Sequence, residues 1–139
     1  MSTNFKILLV EDSKFLRLAI ERALIRAGYN VASAQDGVEA LRLAHEESPD
    51  LILLDMLLPK MSGLDVLKAL KQDPITQAIP VIVMTGMSEK NAVRLQKDGA
   101  SGFLEKSALE LDKGVDKLLI ALDALRQKFP AKSAGATAS

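Results

Sequence analysis

The stretch LILLDMLLPKMSG, residues 51–63, decides how the chain folds. Leu51 to Leu54 are apolar without a break and run straight into Asp55. An unbroken apolar run of this kind reads as a strand covered on both faces, as in a parallel sheet with helices on each side. The LLPKMSG that follows reads as the loop that turns into the next helix. An acid at the end of a buried strand is either structural, with a hidden partner, or the centre of the protein's chemistry.

Working outward, similar runs recur. FKILLV (residues 5–10) comes first, then NVASA from Asn30, PVIVMT (residues 80–85) and SGFLEK from Ser101. Helical patterns lie between them. Ser13 to Ala27 sets Leu16, Ile20, Ala23, Leu24 and Ala27 on one face, with Gly28 as its stop. Asp36 caps a segment to about Glu47 with Val38, Leu41 and Ala44 or His45 in helical spacing, and Pro49 ends it. Gly63 to Gln72 carries Leu64, Leu67 and Leu70. Ser88 to Asp98 carries Ala92, Val93 and Leu95, closed by Gly99. Leu109 to Lys128 carries Leu111, Val115, Leu118, Leu119 and Leu122, with Gly114 inside it at a cost of about 1 kcal/mol relative to Ala.

The order is βαβαβαβαβα, which right-handed crossovers turn into a doubly wound α/β sandwich. The expected fold is flavodoxin-like: three layers around a parallel five-stranded sheet of order 2-1-3-4-5. One domain is expected over residues 1–128. Residues 129–139, mostly small and polar, are expected to form a disordered tail. There is no internal repeat and no linker to a second domain.

Composition narrows the function. Lys+Arg and Asp+Glu both number 18 in the 139 residues, so no net charge favours nucleic acid or an anionic membrane. The absence of cysteine removes disulfide, thiolate and cysteine-metal chemistry, and one histidine, His45, rules out a His-rich metal site. His45 itself is read as a helix residue without a role. No apolar run reaches membrane-spanning length, and MSTNFK lacks a signal peptide's apolar core, so a cytoplasmic protein is expected.

In an open α/β sheet, ligands bind beyond the carboxyl ends of the strands. Glu11 and Asp12 follow ILLV, Asp55 follows LILL, Thr85 follows VIVM and Lys106 follows GFLE. Three carboxylates at one edge repel unless a cation sits among them. With only oxygen ligands on offer, Mg²⁺ (or Mn²⁺) suits the set. Thr85 and Lys106 offer donors to phosphoryl oxygens, and Asp55, the most central acid, is the nucleophile that would form an aspartyl-phosphate. Helix capping by Asp12 or Ser13 is compatible with this role.

LLVED with Glu11 and Asp12, LLDMLLPKMSG with Asp55, Pro59 and Gly63, VIVMTG with Thr85, and GFLEK with Lys106 together resemble the receiver domain of bacterial response regulators. The resemblance covers about residues 4–126, and the motifs are specific only as an ordered set. It implies a stand-alone receiver in which Glu11, Asp12, Asp55 and the backbone carbonyl of Leu57 bind Mg²⁺. A sensor histidine kinase or histidine phosphotransfer protein would donate the phosphoryl group. Thr85 and Phe103 would reorient together as the switch. The downstream protein target is not legible, and monomer and weak dimer both remain open.

The pattern departs from the family at four positions. Leu57 and Met87 are apolar where polar side chains help orient hydrolytic water, which predicts slow self-dephosphorylation. Ser107 follows Lys106 where the family has Pro with a commonly cis bond; before Ser such a bond costs about 2.5–4 kcal/mol. Phe103 replaces a Tyr, so its inward and outward states differ in packing. Phe15 and Leu18, with Ile25, lie off the main apolar face of the first helix and form either scattered surface apolars or a docking strip beside Asp55. The competing functions are a receiver acting as a phosphorylation-independent interaction module, an Asp-based phosphohydrolase and a dinucleotide-binding domain. The hydrolase wants a second acid where Leu57 stands. The dinucleotide fold wants glycines where LLVEDSKFLR has acids.

Overall fold

A computed structural model of the protein describes residues 4–86, 96–105, 118–120, 122–124 and 127. Strands β1 (Lys6–Val10), β2 (Asn30–Ala34), β3 (Leu51–Asp55), β4 (Val81–Thr85) and β5 (Gly102–Glu105) alternate with helices α1 (Lys14–Arg26), α2 (Gly37–Glu47) and α3 (Gly63–Gln72). Residues 118–120, 122–124 and 127 are also helical. The strands are parallel and lie in the order β2-β1-β3-β4-β5, the doubly wound arrangement expected.

Both faces of the sheet are covered, which is why its strands do not alternate in polarity. Leu8, Val10, Ile52, Leu54, Val81 and Val83 face the layer that holds α2 and α3. Ile7, Leu9, Leu51, Leu53, Ile82 and Met84 face the other layer, with Leu16, Ile20 and Leu24 of α1 and with Leu118 and Leu122. Every residue of β3 and β4 is buried. Burying each Leu or Ile contributes about 1.5–3 kcal/mol, so the strands that present Asp55 and Thr85 are among the most firmly held in the fold.

Side chains set the helix starts. Ser13 Oγ accepts from Leu16 N, Asp36 Oδ1 from Glu39 N, and Ser62 Oγ from Asp65 N. Ser13 rather than Asp12 is thus the cap of α1. Gly28, at φ 100°, follows α1, and Ser48 closes α2 in the left-handed region at φ 45°.

Two readings of the helices need correction. Val38 is 56% exposed, while Gly37, Ala40 and Ala44 are the buried residues of α2. At its start the helix lies too close to its neighbours for a side chain: a Cβ on Gly37 would come within 2.7 Å of Met61 Cβ and Val66 Cγ2. His45, exposed on the last turn of α2, makes a surface contact, its Nε2 lying 2.5 Å from Asp73 Oδ2. On α1, Ala23 is half-buried and Ala27 exposed, leaving Leu16, Ile20 and Leu24 as the inner face. Met87, Lys106, the Lys106–Ser107 bond, Gly114, most of the two predicted C-terminal helices and residues 129–139 lie outside the described residues. Among the described residues no helix is long and apolar enough to cross a membrane.

Candidate functional site

β1 and β3 are neighbours at the centre of the sheet, with Val10 in register with Leu54. The residues that follow each register position therefore meet at one edge. Glu11 and Asp12 leave β1 there, and Asp55 is the last residue of β3. Carboxylate oxygens of Glu11, Asp12 and Asp55 all lie within 4.8 Å of one another. Glu11 and Asp55 are fully buried, while Asp12 is exposed, so the cluster meets solvent on the Asp12 side.

Local hydrogen bonds aim these acids. Asp55 Oδ1 accepts from Leu57 N at 3.1 Å, and Glu11 Oε2 accepts from Ser13 N at 3.0 Å. Leu57 is 73% exposed on the loop beyond Asp55. That loop is fixed at its far end, where Gly63 N donates to Met56 O at 2.9 Å, and at Lys60, whose ammonium lies 3.3 Å from Asp36 at the start of α2.

Thr85 is the last residue of β4, one position beyond Met84, which pairs with Asp55. It is buried to 4% exposure. Phe103 on β5 sits in register with Val83 and is half-buried against the core layer of α2 and α3. Lys106 is the next residue of the chain after Glu105, outside the described residues. On α1, which starts two residues after Asp12, Phe15 is 84% exposed and Leu18 half-buried.

The acid cluster fits a small hard cation. Octahedral bonds of about 2.1 Å put the oxygen ligands of one Mg²⁺ about 3–4 Å apart, a separation inside the 4.8 Å that bounds the three carboxylates. Every donor in the cluster is a carboxylate oxygen, the ligand type Mg²⁺ prefers, and the exposed side leaves room for the waters it keeps.

One residue of this region escaped the sequence reading. Arg17, one turn into α1, donates from Nη1 to the main-chain oxygens of Glu11 at 3.0 Å and Asp12 at 3.4 Å. Apolar periodicity carries no trace of such a contact. The available signal was a cation placed one helical turn after a pair of acids.

A family model described as the response regulator receiver domain matches residues 7–118. Over 102 residues the chain is 41% identical to the polar-differentiation response regulator DivK of Brucella anthropi, covering 72% of this chain and 82% of DivK. Over 87 residues it is 41% identical to the alkaline phosphatase synthesis transcriptional regulatory protein PhoP of Bacillus subtilis, covering 63% of this chain and 35% of PhoP. It thus spans about a third of that relative's length. Among solved structures, the chemotaxis response regulator CheY4 of Vibrio cholerae superposes with a TM-score of 0.76 at 30% identity, covering 86% of this chain and 98% of that one.

Proposed function

The chain belongs to the response regulator receiver domain family of two-component systems, and from that premise we propose that it accepts a phosphoryl group on Asp55 and thereby switches its binding to a protein target. The observation that carries this reading is the meeting of Glu11, Asp12 and Asp55 carboxylates within 4.8 Å at the carboxyl edge of the sheet.

In the proposed reaction a carboxylate oxygen of Asp55 attacks the phosphorus of a phosphohistidine on a sensor kinase or phosphotransfer protein. The new O–P bond forms as the P–N bond breaks, and its electron pair returns to the imidazole nitrogen. Glu11, Asp12, Asp55 and the Leu57 carbonyl would hold Mg²⁺ or Mn²⁺, whose charge, when bound, offsets that of the phosphoryl oxygens. The Thr85 hydroxyl and the Lys106 ammonium would each donate to a phosphoryl oxygen. Burial of Asp55 keeps bulk water from the acyl phosphate, and its bond from Leu57 N helps to hold the carboxylate in place. Thr85, drawn toward the phosphoryl group, would vacate space into which Phe103 turns. The role is regulatory: the protein is its own phosphoacceptor and turns over no separate substrate.

The test is incubation with acetyl phosphate and Mg²⁺, comparing the wild type with Asp55→Ala by intact mass. The wild type should gain one phosphoryl group and Asp55→Ala none. Retained labelling in the variant would overturn the assignment of Asp55. An unlabelled wild type would favour the phosphorylation-independent interaction module.

A further inference from the structure

Three carboxylates drawn within 4.8 Å repel one another, so the loop from Glu11 to Ser13 must be held against opening. Part of the restraint is local. Glu11 N donates to Ala34 O at 3.0 Å, Ser13 N to Glu11 Oε2 at 3.0 Å, and Arg17 N to Ser13 O at 2.8 Å. None of these bonds engages the main-chain oxygens of Glu11 and Asp12. Those two oxygens take the Arg17 side chain, at 3.0 Å and 3.4 Å from the same terminal nitrogen.

We propose that Arg17 is a positioning residue for the acid pair: by tying the carbonyls of Glu11 and Asp12 to one guanidinium nitrogen, it fixes the loop from which both carboxylates are aimed at Asp55. The inference rests on the reading of that cluster as a divalent-cation site. Arg17 is half-buried and sits on the first turns of α1, a helix anchored by Leu16, Ile20 and Leu24. The loop is thereby referred to a rigid element. A planar guanidinium offers two N–H groups from one nitrogen, which matches two adjacent carbonyls. Its charge also lowers the repulsion within the cluster while no cation is bound.

Charge and position act with opposite signs on metal affinity, and this makes the proposal decidable. A fixed positive charge beside the site repels Mg²⁺, so if charge were all that mattered, removing Arg17 would tighten binding. If position dominates, removing it lets the acids drift and weakens binding. Losing a group that orients metal ligands commonly costs about 10–100-fold in affinity.

The experiment titrates the full chain with Mg²⁺ alone by calorimetry, in wild type, Arg17→Met and Arg17→Lys, and measures urea midpoints with and without Mg²⁺. Arg17→Met should bind Mg²⁺ about tenfold more weakly or worse. Its Mg²⁺-induced rise in urea midpoint should shrink accordingly. Arg17→Lys keeps the charge, but its ammonium ends one atom short of the Arg17 terminal nitrogen and reaches the two carbonyls less well, so its affinity should also fall. Binding by Arg17→Met as tight as the wild type, or tighter, overturns the proposal. Should Arg17→Met not fold, wild-type affinity in Arg17→Lys overturns it. A wild type that binds no Mg²⁺ overturns the reading of the site and this inference with it, a result distinct from failure of the inference alone, which leaves wild-type binding intact.

Discussion

A methyl group placed on the α-carbon of Gly63 would lie 2.5 Å from the main-chain oxygen of Asp55. The same methyl would lie 2.5 Å from Met56 Cα. Both neighbours are backbone, so no side-chain rotation relieves the contact. The first turn of α3 rests directly on the end of the strand that carries Asp55. Gly63→Ala should therefore destabilise the protein by about 1–3 kcal/mol, read from its urea midpoint. It should also slow labelling by acetyl phosphate, because the strain falls on Asp55. A wild-type midpoint in the variant would mean that α3 slides outward at no cost.

Acid should loosen the fold through two carboxylates outside the site. The N–H of Glu39, 2.8 Å away, holds the Asp36 carboxyl below its ordinary value of 3.8, and Lys60 adds to the effect while burial opposes it. The N–H of Ile75, 2.9 Å away, does the same for Asp73, helped by His45. For both groups the unfolded chain takes up the proton first as the pH drops. Their contribution is in place above the ordinary value of 3.8 and is lost as the pH falls through the lower folded values. The urea midpoint should fall across that window. In the double variant Asp36→Asn, Asp73→Asn, each amide oxygen can still accept the backbone bond but no longer titrates, so the fall should be shallower. An unchanged slope would remove these two groups from the account.

The elements were legible where burial is two-sided. LILLD and VIVMT are unbroken apolar runs because helices cover both faces, and the structure buries all of β3 and β4. The acids, the hydroxyl and Asp55 were legible because each stands where such a run stops. Val38 misled because apolar spacing favours large side chains, whereas α2 packs through Gly37, Ala40 and Ala44. The His45–Asp73 contact spans 28 positions, and no local pattern announces it. Arg17 was hidden for a different reason: it binds main-chain oxygens, which every residue possesses, so no partner side chain marks its role.

The phosphorylated protein should be long-lived. Leu57 places an apolar side chain, 73% exposed, on the loop directly beyond Asp55. It offers no hydrogen bond to an attacking water, whose activation is the slow step in losing the phosphoryl group. After removal of the donor, the phosphoryl group should persist in Mg²⁺ buffer, followed by intact mass. Leu57→Asn should shorten its lifetime, because the amide can orient water there. A half-life of seconds in the wild type would refute the argument, as would no change in Leu57→Asn.

Transfer from a protein donor should depend on α1 more than transfer from a small molecule does. Asp55 is fully buried, so a partner's phosphohistidine reaches it only if the partner seats closely on the rim of the site. Phe15, three residues after Asp12 on the first turn of α1, is 84% exposed, and half-buried Leu18 lies one turn further on. An exposed aromatic is suited to anchor an apolar patch on a helical partner. Phe15→Ser with Leu18→Ser should slow transfer from a phosphohistidine protein that labels the wild type by about tenfold or more. Labelling by acetyl phosphate, which needs no docking surface, should keep its wild-type rate. Phe15→Ser alone serves as the control for folding, since an exposed substitution shifts stability by only about 0.5 kcal/mol. If the double variant slows both donors equally, the loss lies in the site and α1 is not a docking strip. If neither donor slows, the partner seats elsewhere on the rim.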